Sequence, residues 1–103
     1  MSIKIVVFNN GDQVISDVKE VLIDEKCQAY QLIKPQKVYL NEIKKEFLTE
    51  ENESDSIEMV LSAWVPLSKE NEFYISMNSV ISITEPIDDL VKIYKEKVGI
   101  SDD

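Results

Sequence analysis

The chain has 103 residues, of which 44% are apolar, enough for one compact core and too few for two. Eleven Lys and Arg stand against twenty Asp and Glu, giving a formal charge of −9, so diffuse attraction to phosphate backbones or anionic membrane surfaces is unfavourable overall and any nucleic-acid contact must be local. The absence of histidine removes the commonest general base and the commonest metal ligand together.

From the N-terminus, Ile3 to Phe8 is rich in β-branched residues and reads as a strand. Asn9-Asn10-Gly11-Asp12 follows, and Asn-Gly predicts a hairpin with a type I′ turn. The returning strand runs from Gln13 to Leu22 or Ile23. Val14, Val18 and Leu22 share one of its faces, Ile15, Asp17, Lys19 and Val21 the other, and its length predicts a bend or bulge. Asp24 to Gln28 reads as a tight polar connection. Ala29 to Ile33 and Val38 to Leu40 are strand pieces divided by Pro35, which implies an edge, a bulge or a break.

Between residues 44 and 56 the apolar pattern lapses amid Glu46, Glu50, Glu51, Glu53 and Asp55, predicting an exposed, mobile acidic loop. Ile57 to Val65 reads as a central strand with both faces partly covered. After the polar turn at 66–72, Phe73-Tyr74-Ile75 and Val80 to Ile83 are short strands around Ser76-Met77-Asn78-Ser79, and the sheet is expected to end at Thr84. A helix is predicted over 86–98. Pro86 suits its first turn, Asp88 and Asp89 its positive end, Lys92, Lys95 and Lys97 its negative end, and Gly99 its C-terminal cap. Its apolar stripe is Ile87, Leu90, Val91, Tyr94 and Val98.

Little catalytic chemistry is available. One cysteine makes neither an internal disulfide nor a structural zinc site, two glycines make no phosphate-cradling loop, and no calcium-loop pattern occurs. Cys27 is expected to be an inert small hydrophobe and Trp64 a core or interface residue. The carboxylate pairs Glu50-Glu51, Asp88-Asp89 and Asp102-Asp103 fall where solvated charges sit. No enzyme, cofactor or metal is expected. No secretory leader or 18-residue apolar span is visible, and the reading is a reducing cytoplasm.

The predicted content is a mainly β domain over 1–103 with one C-terminal helix: a strongly bent antiparallel sheet of about five strands, as in OB-fold, SH3-like and Sm-like barrels. Sequence detail favours the last. Phe8-Asn9-Asn10-Gly11-Asp12-Gln13-Val14-Ile15-Ser16-Asp17-Val18 resembles the first Sm motif, with Gly11 and Val18 matching and Ser16 in the place of the usual glycine. Asp24-Glu25-Lys26-Cys27-Gln28 resembles the Asp-x-x-Met-Asn loop of that family. Phe73 to Ile83 has the strand, knuckle, strand form of the second motif, with Asn78 in place and Ser76-Met77 where the basic residue and glycine stand. The chain is most similar to the Sm-like proteins of marine cyanophages.

The resemblance implies a five-stranded antiparallel barrel and a homo-oligomeric ring of five to seven copies, joined through strands at 57–65 and 80–83. It also implies single-stranded RNA at the pore loops. The residues it assigns to that site are Asp24, Lys26, Gln28 and Tyr30 in the first motif and Ser76, Met77 and Asn78 in the knuckle. Lys26 is the only cation among them, so the acidic chain leaves a second expectation: a protein-interaction scaffold that docks on a host or phage protein without binding RNA.

Overall fold

A computed structural model describes residues 1–43 and 56–99. The acidic loop expected at 44–56 therefore lies, apart from Ser56, outside the described residues, as does the tail at 100–103. Six strands are present: β1 (Ile3–Phe8), β2 (Gln13–Ile23), β3 (Lys26–Ile43), β4 (Ser56–Ala63), β5 (Glu72–Ser76) and β6 (Val80–Thr84). A 3₁₀ turn (Met77–Ser79) joins β5 to β6, and helix α1 (Asp88–Val98) follows. All pairings are antiparallel, in the order β4-β3-β2-β1-β6, with β5 also paired to β3. The sheet is mainly β with one C-terminal helix, as expected. It has six strands where about five were expected, because the runs at 73–75 and 80–83 form separate strands, β5 and β6; β4, expected to be central, stands at the end of the order, and no strand pairing among the described residues closes the sheet.

The Asn-Gly turn differs from the one predicted. Gly11 has φ +92° and Asn10 does not share a positive φ, while the Gly11 amide donates to the Phe8 carbonyl and the Phe8 amide to the Asp12 carbonyl, each at 2.9 Å. This is a type I turn closed by a glycine bulge, the three-residue hairpin form. The Asn10 side chain secures it by accepting from the Asp12 amide at 2.9 Å. The type I′ geometry occurs instead at the next hairpin. There Ile23 pairs directly with Lys26, and Asp24 and Glu25 have φ of +53° and +67°. The connection expected over Asp24 to Gln28 is thus only two residues long, and Lys26, Cys27 and Gln28 belong to β3.

β3 is continuous through Pro35. Ile15 pairs with Gln36 but Asp17 with Ile33, so β3 carries one extra residue at Lys34-Pro35. Here the expected interruption takes the form of a bulge, and the irregularity expected in β2 sits on its partner. Lys34 has φ +54°. A non-glycine residue rarely adopts that conformation, least of all before proline. The bulge also reverses side-chain alternation: Tyr30 and Leu32 face one side of the sheet, Gln36 and Val38 the other.

Each side of the sheet consequently has its own core. Val6, Phe8, Val14, Val18 and Leu32 fill the inner side, with Tyr30, Trp64, Ile75, Val80 and Ile83 packed around them. Trp64 is a core residue, as expected, stacking on Phe8 with centroids 5.1 Å apart and meeting Phe73 edge-on at 5.8 Å. Ile15 and Leu61 on the outer side are covered by Leu90 and Tyr94 of α1, with Ile5, Val38, Met59 and Ile93 alongside. Ile93 takes the place expected for Ile87, which is exposed. Pro86 precedes the N-cap residue Ile87 and so lies outside the first turn, while Gly99 closes the helix at φ +77°. Ser16, fully buried, keeps its hydroxyl 3.0 Å from the carbonyl oxygens of Asp17 and Ile33.

Tyr94 ties α1 to the bulge. Its fully buried hydroxyl lies 3.1 Å from the Ile33 carbonyl oxygen and 2.9 Å from that of Lys34, and accepts from the Asp17 amide at 3.3 Å. Burial is the chief reason its pKa is pushed up to about 12. Among the described residues no helix is long and apolar enough to cross a membrane.

Candidate nucleic-acid interface

The predicted site residues come from two places that the sheet brings together. Ala29 of β3 pairs with Ser76 of β5, so the β2–β3 hairpin lies beside the 3₁₀ knuckle. Gln28, Ser76, Met77 and Asn78 are neighbours there, all exposed. Asp24 is at the hairpin tip beside Glu25, and Lys26 is the tip's only cation.

Hydrogen bonding makes the knuckle rigid. The Ser76 hydroxyl accepts from the Asn78 amide at 3.1 Å, and the Ser79 hydroxyl donates to the Ser76 carbonyl at 2.7 Å. Ser76 therefore acts first as the N-cap of the turn. Asn9 fastens the knuckle to the β1–β2 turn: its amide donates to the Ser79 carbonyl at 2.9 Å and its side chain to the Asn78 carbonyl at 2.8 Å. Sequence reasoning used Asn9 only as a turn former. The two carbonyls it reaches are about seventy residues away along the chain, so no local pattern could have revealed the role.

Tyr30 and Lys26 do not share a face. Val21 pairs with Ala29 but Leu22 with Cys27, which leaves Gln28 as an extra residue on β3. Alternation is reversed across it, placing Lys26 on the side of Ala29 and Ser76 while Tyr30 faces the inner core opposite Glu20 and Ile75. Tyr30 lines a cavity of about 420 Å³ together with Ser2, Lys4, Val18, Lys19 and Ile83. Lys4 is ion-paired with Glu85. Burial raises the Tyr30 pKa above its ordinary value, with the Cys27 thiol and Glu20 carboxylate adding to the effect. At neutral pH Tyr30 is accordingly a neutral ring with a hydroxyl donor. Cys27 is a partly buried free thiol with its sulfur 3.5 Å from the Ala29 carbonyl.

This geometry offers base-edge hydrogen bonding at Gln28 and Asn78, an apolar surface at Met77 and one positive charge. Among the described residues no three Cys, Asp or Glu side chains converge where they could hold a metal ion. A second basic feature lies elsewhere, where the Lys37 ammonium is 3.2 Å from Asp12 and 5.0 Å from the centre of the Tyr39 ring. Its pKa is raised, chiefly by the Asp12 hydrogen bond.

No curated protein is similar enough in sequence to match this chain. Residues 1–99 match the model of a family of unknown function (DUF6561), and the chain belongs to that family.

Proposed function

We propose that the protein is a non-enzymatic Sm-like module that assembles into a ring of five to seven copies in the cytoplasm and binds single-stranded RNA at the β2–β3 hairpin and the knuckle. In this reading β1, β2, the first half of β3, β5 and β6 are the five strands of the barrel, and β4 with the second half of β3 is an arm extending from it. The observation that carries the reading is the path of β5, the 3₁₀ turn and β6, which passes from the β3 edge to pair with β1. It leaves unpaired strand edges at both ends of the sheet, β4 and β5 at one and β6 at the other. Exposed apolar side chains stand on them: Tyr74 is 70% and Ile81 64% accessible. Such edges invite pairing with another chain, and joining one end to the other head to tail produces closed rings.

Asp24, Lys26, Gln28, Tyr30, Ser76, Met77 and Asn78 are the proposed RNA contacts. Light scattering tests the assembly: a mass of five to seven protomers is expected, and a monomer would sink the ring. RNA binding is tested by fluorescence anisotropy of labelled oligo-U and oligo-A at about 50 and 200 mM salt. Measurable binding at the lower salt that Lys26→Glu abolishes is expected; no binding there removes the RNA reading. The second reading, an acidic ring that docks on a host or phage protein, is favoured by one observation. The hairpin tip sets Asp24 and Glu25 beside its single lysine, in a chain of charge −9.

A further inference from the structure

β4 follows β3 through eight consecutive pairs, from Gln36 with Ala63 to Ile43 with Ser56, without a bulge. Among the described residues no strand pairs with its other edge. In the proposed ring the β5 and β6 edges meet, so β4 stays free there as well. The three edge strands are unequally protected. β5 and β6 are five residues long, and β6 carries a bulge at Ile81, between the pairs of Val7 with Ser82 and Phe8 with Val80. β4 is eight residues long, contains neither lysine nor proline, and has Glu58 as its only charge. A long, regular, weakly charged edge is a template for another strand.

The sequence of β4 suits a copy of itself. Antiparallel pairing about a two-fold axis normal to the sheet keeps each face on its own side, so residues of like parity stand opposite one another. Centring the pair on Glu58 sets two carboxylates face to face. Centring it on Met59 makes them diagonal neighbours about 7–8 Å apart. Centring it on Val60 separates them by four residues, about 13 Å along the strand, and sets each opposite Ser62. On the helix side this register places Met59 opposite the partner's Leu61. The row of Leu40, 68% exposed, and Met59 then runs on into Leu61 and Val38 of the partner subunit. One carboxylate gives a basic peptide little to recognise, whereas the apolar rows match their own reverse. We infer that β4 pairs antiparallel with β4 of a second copy, Val60 opposite Val60, so that the two outer cores join across a two-fold axis. The inference rests neither on the ring nor on RNA binding.

Sedimentation of the full chain reads the pairing. At up to about 1 mM the unaltered protein is expected to show at least twice the mass of Val60→Lys, whether the repeating unit is a ring or a single chain. Failure of the ring therefore leaves the comparison intact. Val60→Glu should lower the mass in the same way, and an equimolar mixture of the two variants should regain it, because opposite charges then face each other. Each copy carries a charge of −9, so pairing should strengthen between about 50 and 500 mM salt, where RNA binding would weaken. Cys27 is the only cysteine, and Val60→Cys in a Cys27→Ser background should link two chains on mild oxidation while Glu58→Cys should not. That measurement decides the matter if the charged variants fail to fold. Equal masses for the unaltered protein and Val60→Lys, a mixture that stays at the lower mass, pairing weakened by salt, or cross-linking at 58 equal to that at 60 would overturn the inference.

Discussion

The two sides of the sheet are covered by different means. On the inner side the strands of a single curled sheet supply all five fully packed residues, from Val6 to Leu32, with partners from the same sheet and the adjoining Trp64. The outer core depends on α1, and two of its four buried members, Leu90 and Tyr94, belong to that helix. Curvature buries surface at little extra cost in chain, whereas the outer face needs a separate element brought back across the sheet. The inner core should therefore open only with the whole domain, and the outer one in part with α1 alone.

Paired truncations test this contrast most severely. Leu32→Ala is expected to lower global stability by about 2–5 kcal/mol in chemical denaturation. Leu90→Ala should instead be felt first as faster amide exchange in α1, with β1 and β2 still protected. Uniform loss of protection in both variants would show that the two cores are one cooperative unit.

A smaller effect is expected at the seam between helix and sheet. Tyr94→Phe keeps the ring but removes the hydroxyl that meets the Asp17 amide and the Ile33 and Lys34 carbonyls, of which Ile33 still keeps Ser16, and should cost about 1–3 kcal/mol. The same residue sets an alkaline limit. Its phenol ionises at about 12 in the folded state and near 10 in the unfolded chain, so the unfolded state loses the proton first and stability falls as pH rises from 10 towards 12. Melting curves across that range should lose this dependence in Tyr94→Phe.

The smallest effect should be favourable. Lys34→Gly relieves a positive φ and is expected to raise stability by up to about 1 kcal/mol, less the lost bond to Val98. A clear destabilisation would mean that the lysine side chain matters more to helix docking than backbone strain does.

What could be read from the sequence was whatever depends on neighbours along the chain. Alternation located β1 and β2 at their ends, and Gly99 marked the end of α1, because these are local consequences of period and backbone freedom. Turn geometry was less accessible. Asn9-Asn10-Gly11 carried the conventional signal for a type I′ turn, yet that geometry went to Asp24-Glu25, where the direct pairing of Ile23 with Lys26 imposes it on Glu25, which does not favour it, as well as on Asp24, which tolerates it. Pro35 signalled an irregularity but not that hydrogen bonds continue through it on either side. Tyr94 could be placed on the apolar stripe, but nothing local announces that its hydroxyl meets a bulge sixty residues earlier. In the candidate interface, proximity of the hairpin and knuckle followed the expected pattern, whereas the opposite orientations of Lys26 and Tyr30 arise from one unpaired residue, Gln28, that leaves no trace in hydropathy.

The extra residue at Lys34-Pro35 works on β3 as a change of reading frame does on a message. Before it, even-numbered positions such as Tyr30 and Leu32 specify the inner core; after it, even-numbered positions such as Val38 serve the outer one. One strand can then be written in two registers, each under its own packing constraint. Were the same residues paired in a regular ladder without the bulge, the entire second half of β3 would fall into the wrong phase, turning Lys37 and Tyr39 towards the helix and Val38 away from it. The defect in the strand is what makes its length intelligible.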